Sequence, residues 1–209
     1  MQPRDHWQQV YTSKAPDEVS WFQAHATPSL RLIRGYGVPP DAAIIDVGGG
    51  ASTLVDDLLA NHFENLSVLD ISEAALAATK ARLGDRASAV RWLEADILET
   101  ALPEATYDVW HDRAVFHFLT TPEERQSYVR AVIRAVKPGG LVMVATFAED
   151  GPTRCSGLPV CRYSASELHA ALGEAFALLE SRKETHHTPG GNEQKFLYCV
   201  FQLRETPHA

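Results

Sequence analysis

Hydrophobic and polar residues follow two alternating periods along this chain, and glycines, prolines and capping residues mark the switches between them. Ala43–Val47 is a short apolar run rich in Ile and Val that ends in glycines, the pattern of a strand buried on both faces. Leu54, Val55, Leu58 and Leu59 then recur at helical spacing across Thr53–His62. Leu66–Leu69 predicts a second strand ending at Asp70, Val90–Leu93 a third reaching Asp96, Tyr107–His111 a fourth and Leu141–Phe147 a fifth. Between them, Ser72 caps a helix that passes through Leu76 to Leu83 and stops at Gly84. Thr121-Pro122-Glu123-Glu124 is a capping box with proline at the first helical position, and Lys137-Pro138-Gly139-Gly140 ends the helix it opens. A second box, Ser164-Ala165-Ser166-Glu167, opens a helix through Leu168 and Leu172. Phe176–Glu184 and Lys195–Leu203 read as two last strands joined by the turn Thr188-Pro189-Gly190-Gly191-Asn192. Upstream, Pro28–Tyr36 has a helical pattern that Gly37-Val38-Pro39-Pro40 stops.

Strands that alternate with helices imply an α/β, doubly wound, mostly parallel seven-stranded sheet covered on both faces, Rossmann-like, with a C-terminal antiparallel hairpin. Ligands in such sheets sit beyond the C-terminal ends of the strands. No repeat or linker divides the chain, so residues 1–209 are expected to form one domain: an N-terminal helical lid over 1–40 and a core over 41–209. Within the lid, Met1–Gln23 is aromatic and polar, with Trp7, Tyr11, Trp21 and Phe22.

Composition narrows the function classes. The formal net charge is −8, and lysines and arginines are scattered, which argues against a nucleic-acid partner held through phosphates. The apolar runs are too short to span a bilayer, the N-terminus lacks the apolar run of a secretion signal, and three cysteines make no disulfide framework. The expectation is a soluble, cytoplasmic protein without a membrane partner.

The chemistry gathers at strand ends. Asp46-Val47-Gly48-Gly49-Gly50 lies between a buried strand and a helix. There glycine lets the backbone approach a ligand, and the helix N-terminus offers N–H groups and partial positive charge. Taken alone, the loop is also a tight strand-to-helix turn. Asp70 ends the next strand about twenty residues on, where an acid binds ribose hydroxyls. Asp96 at the third strand end is placed to accept from an adenine amino group. A dinucleotide fingerprint wants a third glycine where Thr53 stands, and Asp46 would repel a pyrophosphate. A zwitterionic amino-acid tail suits the loop better, with its ammonium near Asp46 and its carboxylate near the loop N–H groups.

At this point the sequence resembles the class I, Rossmann-like methyltransferases. The resemblance spans about residues 40–205 and rests on IIDVGGGAS, SVLDIS, LEADILE, YDVWHDRAVFHFL and VKPGGLVMVATF in the family's order. It implies S-adenosylmethionine as cofactor, with S-adenosylhomocysteine as product. Asp46, Gly48, Gly49 and Gly50 would hold the amino-acid tail, Asp70 and Ile71 the ribose, and Asp96 with Ile97 the adenine. Trp7, Tyr11, Trp21 and His111 are further candidate cofactor contacts. Ser52 stands where many members have another glycine.

The acceptor depends on shorter signals. The fourth strand carries Trp110-His111-Asp112-Arg113 to the ligand edge, which resembles the Trp-Asp-Arg of thiopurine S-methyltransferase relatives. An Asn/Asp-Pro-Pro-Tyr-type motif of amide methylases is absent there. Asp112, Arg113 and Tyr11 are therefore the candidate catalytic residues, with Arg113 orienting an anionic or thiolate acceptor. An internal Asp112–Arg113 ion pair is the structural alternative. His111 and His117 are possible bases or plain packing residues. Cys155 and Cys161 share one loop and could hold a metalloid as thiolates, but are too few for a closed zinc site, and no resident metal is expected. Cys199 reads as core, and His186 and His187 as part of a solvated hairpin. The expected reaction is methyl transfer to a small molecule at sulfur or another soft atom. The alternatives are a protein lysine methyltransferase, whose aromatic N-terminal pattern this chain also resembles, and a non-catalytic binding protein that kept the fold.

Overall fold

Burial on both faces decides where the first strand lies: all five residues of Ala43–Val47 are buried, including Asp46. The computed structural model describes residues 3–205, so Met1 and Gln2 of the expected lid segment lie outside the described residues. Two compact units are present. One comprises residues 3–97 together with His187–Asn192, and the other Leu98–His186 and residues 193–205.

In the first unit the elements are α1 (Pro3–Ser13), α2 (Thr27–Gly35), β1 (Ala43–Val47), α3 (Leu54–Ala60), β2 (Asn65–Asp70), α4 (Glu73–Leu83) and β3 (Val90–Glu94). A 3-10 segment, Gly84–Ala89, joins α4 to β3. The strands lie in the order β3-β2-β1 and run parallel. Their register pairs Val47 with Leu69 and Asp70 with Glu94. The three C-terminal ends are therefore level, and the glycine loop, the turn after Asp70 and the segment at Asp96 emerge from the same edge. Ser72 caps α4 by accepting from the Ala75 N–H, and Gly84 at φ 57° ends it, both as the sequence predicts.

The second unit contains β4 (Tyr107–Arg113), α5 (Pro122–Ala135), β5 (Val136–Ala148), β6 (Arg154–Cys155), β7 (Leu158–Pro159), β8 (Arg162–Tyr163), α6 (Ala165–Leu172), β9 (Phe176–His187) and β10 (Glu193–Leu203). Its strand order is β4-β5-β10-β9, with β8 also paired to β5. β4 is parallel to β5 and β10 is antiparallel to it, so the closing hairpin reverses the sheet direction as expected. Both predicted capping boxes form, at Thr121–Glu124 and Ser164–Glu167. The parallel, helix-alternating strands with an antiparallel C-terminal pair are the α/β, Rossmann-like class read from the sequence.

Three features depart from the expected elements. β5 begins at Val136, not Leu141, because Lys137-Pro138-Gly139-Gly140 is taken into the strand. The cost is a register shift against β4 between Tyr107 and Val109, with Gly139 at φ 79°. A Cβ at Gly140 would come within 2.7 Å of Val136 Cγ1, so this irregular stretch needs glycine there. β4 runs two residues past His111, which places Asp112 and Arg113 in the strand. Lastly, His186 is buried against the Phe196 ring (centroids 6.1 Å apart) and belongs to β9, not to a solvated turn.

The core of α5 shows what its cap supports. Tyr128, Val132 and Ala135 are buried on one face while Ile133 faces solvent. Replacing Thr121 with alanine removes the acceptor for the Glu124 N–H and should cost about 1 kcal/mol. Urea denaturation should show a lower midpoint at unchanged slope.

Candidate active site

The glycine loop is shaped by two buried carboxylates. A Cβ on Gly49 would collide with the Asp46 carboxylate, and one on Gly50 with the Asp70 carboxylate and with Ala75 Cβ at 2.7 Å. Gly48 takes φ 68°, in the left-handed region that favours glycine. The Gly48 and Gly49 N–H groups both donate to Leu69 O, at 2.7 and 3.2 Å. These two N–H groups tie the loop to the end of β2. The loop carbonyls are clamped from α4, since Thr79 Oγ1 donates to Gly50 O (2.6 Å) and Arg82 Nη2 to Ser52 O (2.6 Å). Sequence reasoning missed Thr79 and Arg82. They lie one helical turn apart on α4, a spacing visible in the sequence, but their target is set only by the fold.

Asp70 is the strongest electrostatic feature of this edge. Burial raises its pKa from 3.8 to about 7, against the lowering effect of the Ser72, Gly50 and Ile71 N–H groups, and nearby Asp46 raises it further. The Ser72 N–H donates to Asp70 Oδ1 at 2.8 Å. Ile71 follows it in the turn, Asp96 is half-buried just past β3, and Ile97 is buried. The first unit thus gathers Asp46, Gly48–Gly50, Asp70, Ile71, Asp96 and Ile97 at one end of its strands.

The aromatic N-terminus lies in the same unit. Trp21 Nε1 donates to the Tyr11 hydroxyl at 3.2 Å, and Trp7 meets Trp21 edge-on with centroids 5.8 Å apart. Trp7, Tyr11 and Trp21 are all only half-buried. The segment after α1 is pinned to α3: Ala26 N–H donates to Asp57 Oδ2 (2.7 Å), His25 Nδ1 lies 2.8 Å from Asp57 Oδ1, and Thr53 Oγ1 donates to Gln23 O (2.9 Å). Thr53, where a dinucleotide fold would carry glycine, therefore anchors the segment between α1 and α2.

In the second unit Asp112 and Arg113 diverge. Adjacent strand residues point to opposite faces. Asp112 is completely buried and accepts from the Val115 N–H (2.9 Å), the Phe116 N–H (3.1 Å) and the Tyr128 hydroxyl (2.6 Å), which itself accepts from Trp110 Nε1 (2.8 Å). Burial is the larger influence and raises the Asp112 pKa to about 6 despite those donors and the nearby His111. Arg113 turns the other way. Its Nε donates to the Tyr198 hydroxyl at 2.9 Å, and its guanidinium lies over the Phe196 ring at 4.3 Å. His111 shares that face of β4 and is buried.

His117 and Cys155 lie within the field of Arg113. His117 is fully buried, accepts from the Phe147 N–H through Nδ1 (3.3 Å), and has its pKa lowered to about 3 by desolvation and then by Arg113. Desolvation thus favours the neutral imidazole, which packs against the Phe118 and Phe147 rings. Burial pushes the Cys155 thiol up to about 11, even though Arg113 lowers it. Cys161 has different surroundings, its Sγ 3.9 Å from Leu119 O and 4.0 Å from Arg125 Nη1. Among the described residues no group of three or more His, Cys, Asp or Glu side chains is arranged to hold a metal ion. Cys199 is core, as its alternation in the strand predicts. No helix among the described residues is long and apolar enough to cross a membrane.

Comparison with known proteins bears on this edge. Residues 45–142 match the family described as a methyltransferase domain. The chain is similar to EEF1A lysine methyltransferase 2 of Mus musculus, 21% identical over 97% of this chain and 84% of that one. It is also similar to an uncharacterised methyltransferase of Mycobacterium bovis, 30% identical over half of each chain. Among solved structures, one described by the conversion of a disulfide bond into a thioacetal group during echinomycin biosynthesis superposes with a TM-score of 0.79 at 16% identity, over 97% of this chain and 93% of that one. The N-methyltransferase NodS of Bradyrhizobium japonicum, in complex with S-adenosylhomocysteine, gives 0.72 at 18% identity over 96% and 100%. Fold and domain match together define a class I, Rossmann-like methyltransferase. The chain is an S-adenosylmethionine-dependent enzyme of that class. The glycine edge fits such a cofactor: Gly49 and Gly50 bring the loop backbone against two carboxylates whose chemistry suits an ammonium and a pair of ribose hydroxyls.

The cradle makes a prediction that separates two glycines. Gly50→Ala forces Asp70 or Ala75 to move and should destabilise the protein by about 1–3 kcal/mol. Gly35→Ala, at the end of α2 with open space around it, should stabilise by about 0.5–1 kcal/mol. Thermal and chemical unfolding of the two variants read the difference directly.

Proposed function

We propose that the enzyme methylates a small molecule at sulfur or another soft atom, with Arg113 as the residue that holds the acceptor. The observation that supports this reading is the setting of Arg113. A permanent cation stands over Phe196, beside His117 and Cys155, both of which feel its charge. Such a field favours a thiolate or another anion and disfavours a lysine ammonium. A soft anionic nucleophile needs alignment more than it needs a base, which agrees with the neutral state of His117. Asp112 then acts through the chain segment it holds and not by touching the acceptor. On the donor side, Asp46 and Gly48–Gly50 are assigned to the amino-acid tail, Asp70 with Ile71 to the ribose, and Asp96 with Ile97 to the adenine. Trp7, Tyr11 and Trp21 are assigned to the lid, with Tyr11 at the methyl donor. The cofactor supplies an electrophilic methyl group on a sulfonium; the protein supplies position and exclusion of water.

A second reading is methylation of a protein lysine. It is favoured by the mouse relative, which is named for that activity and matched along nearly the whole chain. The two readings separate in one experiment: turnover of labelled methyl donor across thiols, metalloid anions, amines and protein extract. Turnover of thiols supports the first reading, and turnover confined to protein overturns it. Arg113→Ala should lower kcat/KM for a thiol acceptor by about 10- to 100-fold, a loss of about 1.4–2.7 kcal/mol in the transition state, at unchanged cofactor affinity.

Asp70 adds a pH dependence. Burial holds its folded-state pKa above the unfolded value of 3.8, so it favours the cofactor-free fold less as pH rises from about 4 to about 7. Ribose hydroxyls donate to the charged carboxylate, so cofactor binding runs the opposite way. Affinity for S-adenosylhomocysteine should fall about tenfold per pH unit below pH 7 and level off above it. Calorimetry across that range should find this slope in the native protein and lose it in Asp70→Asn.

A further inference from the structure

Among the described α-helices, α1 is the one with no fully buried residue. Burial of an apolar stripe therefore cannot be what holds it in place. Beside the contacts of Trp7 and Tyr11 with Trp21, two polar contacts dock it onto the strand and helix of the cofactor edge. Arg4 pairs with Glu94 at 2.7 Å, with both side chains close to half exposed. An exposed pair of this kind is worth little. The second contact is more specific. Gln8 Oε1 accepts from the Ala74 N–H and from the Ser72 hydroxyl, each at 3.1 Å. Ala74 is in the first turn of α4, where backbone N–H groups have no partner within the helix. Gln8 is thus a second cap on α4, supplied by a residue 66 positions away.

The cap is wired to the ribose carboxylate. Ser72 is shared: its N–H donates to Asp70 Oδ1 at 2.8 Å, and its hydroxyl accepts from Ala75 N–H and donates to Gln8. The path Asp70–Ser72–Gln8 is continuous, and each link is a hydrogen bond between groups that are buried or partly buried. Helical geometry then decides what Gln8 carries with it. At 100° per residue, Arg4, Gln8, Trp7 and Tyr11 fall within about 100° of the circumference of α1, so the face that docks at Ser72 also bears Trp7 and Tyr11. The far end of the lid is fixed separately, by the contacts of Gln23, His25 and Ala26 with α3. A helix anchored through its following segment, docked by polar contacts and half-buried rings and with no fully buried side chain, can open at small cost.

We propose that Gln8 couples the lid to cofactor occupancy: a cofactor ribose on Asp70 fixes the Asp70–Ser72 turn, Gln8 clasps that turn, and α1 closes with Trp7 and Tyr11 over the donor. Gln8 is a positioning residue in this scheme. The inference rests on the assignment of Asp70 to the ribose.

The test measures S-adenosylhomocysteine release by stopped-flow displacement and amide hydrogen exchange of α1 with and without that ligand. In the native protein, ligand should protect the α1 amides. Gln8→Ala should speed release by about 5- to 30-fold, as expected for the loss of two hydrogen bonds near 1 kcal/mol each, and should abolish the protection. Its melting temperature without ligand should stay within a few degrees of native, since α1 has no fully buried side chain. Gln8→Glu keeps an acceptor at the same place, next to the positive end of α4, and should restore both readouts. Native-like release or native-like protection in Gln8→Ala overturns the proposal, as does a native lid whose exchange ignores the ligand. Asp70→Ala separates the underlying assignment: if it binds S-adenosylhomocysteine normally, the ribose has been misplaced, whereas a silent Gln8→Ala beside an impaired Asp70→Ala condemns only the clasp.

Discussion

Removing the Asp70 carboxylate from water is the constraint around which the cofactor edge is built. Desolvation alone would hold the group protonated, and three backbone N–H groups, from Gly50, Ile71 and Ser72, partly offset it. Those donors must approach closely, which requires the sharp turn after β2 and a bare Cα at Gly50. A second carboxylate, Asp46, presses on Gly49 in the same way and raises the Asp70 pKa further. Two acids that repel each other are tolerated at one buried edge when something else benefits from their charge. A cationic amino group and a pair of hydroxyl donors are such partners. In this view Gly49 and Gly50 are a consequence of the acids and record how near the carboxylates stand, while Gly48 serves the left-handed turn.

The same economy explains why neighbouring charged residues on β4 have separate jobs. Alternation along a strand sends Asp112 toward α5 and Arg113 toward β10. Asp112 meets three donors and holds the backbone at Val115 and Phe116 just past Ala114, which sits at φ 72°. A non-glycine residue in the left-handed region persists only where its surroundings over-determine it, and Asp112 with Tyr128 and Trp110 supplies that constraint. Arg113 is oriented by an aromatic face and a phenol hydroxyl.

The sequence carried the elements well because their signals are local. Both capping boxes, the Ser72 cap and the Gly84 stop depend on residues within a turn of each other, and all of them form. The acids at Asp46, Asp70 and Asp96 were legible for the same reason, as strand ends announce themselves. What escaped was long-range. Lys137-Pro138-Gly139-Gly140 has the composition of a helix stop, yet pairing with β4 draws it into β5 as an irregular start. Thr79 and Arg82 clamp loop carbonyls about thirty positions away, and nothing in α4 marks those two side chains from others on the helix. The Asp112-Arg113 dipeptide looked like a pair because adjacency in sequence hides the alternation of faces once the strand is drawn two residues too short.

Long-range capping by Gln8 belongs to the same class of hidden feature, and it reconciles two properties of α1 that would otherwise conflict. A helix with Trp7 and Tyr11 on one face should bury them, yet both remain half exposed. Rings left partly in water are ready to gain apolar contact when a ligand arrives, and that gain scales with the area then covered. Docking through Gln8 and Arg4 keeps the helix near its place without using up that gain. A lid held by an apolar stripe would be closed before the donor arrived. One held by a shared serine hydroxyl is close enough to respond and weak enough to release the product.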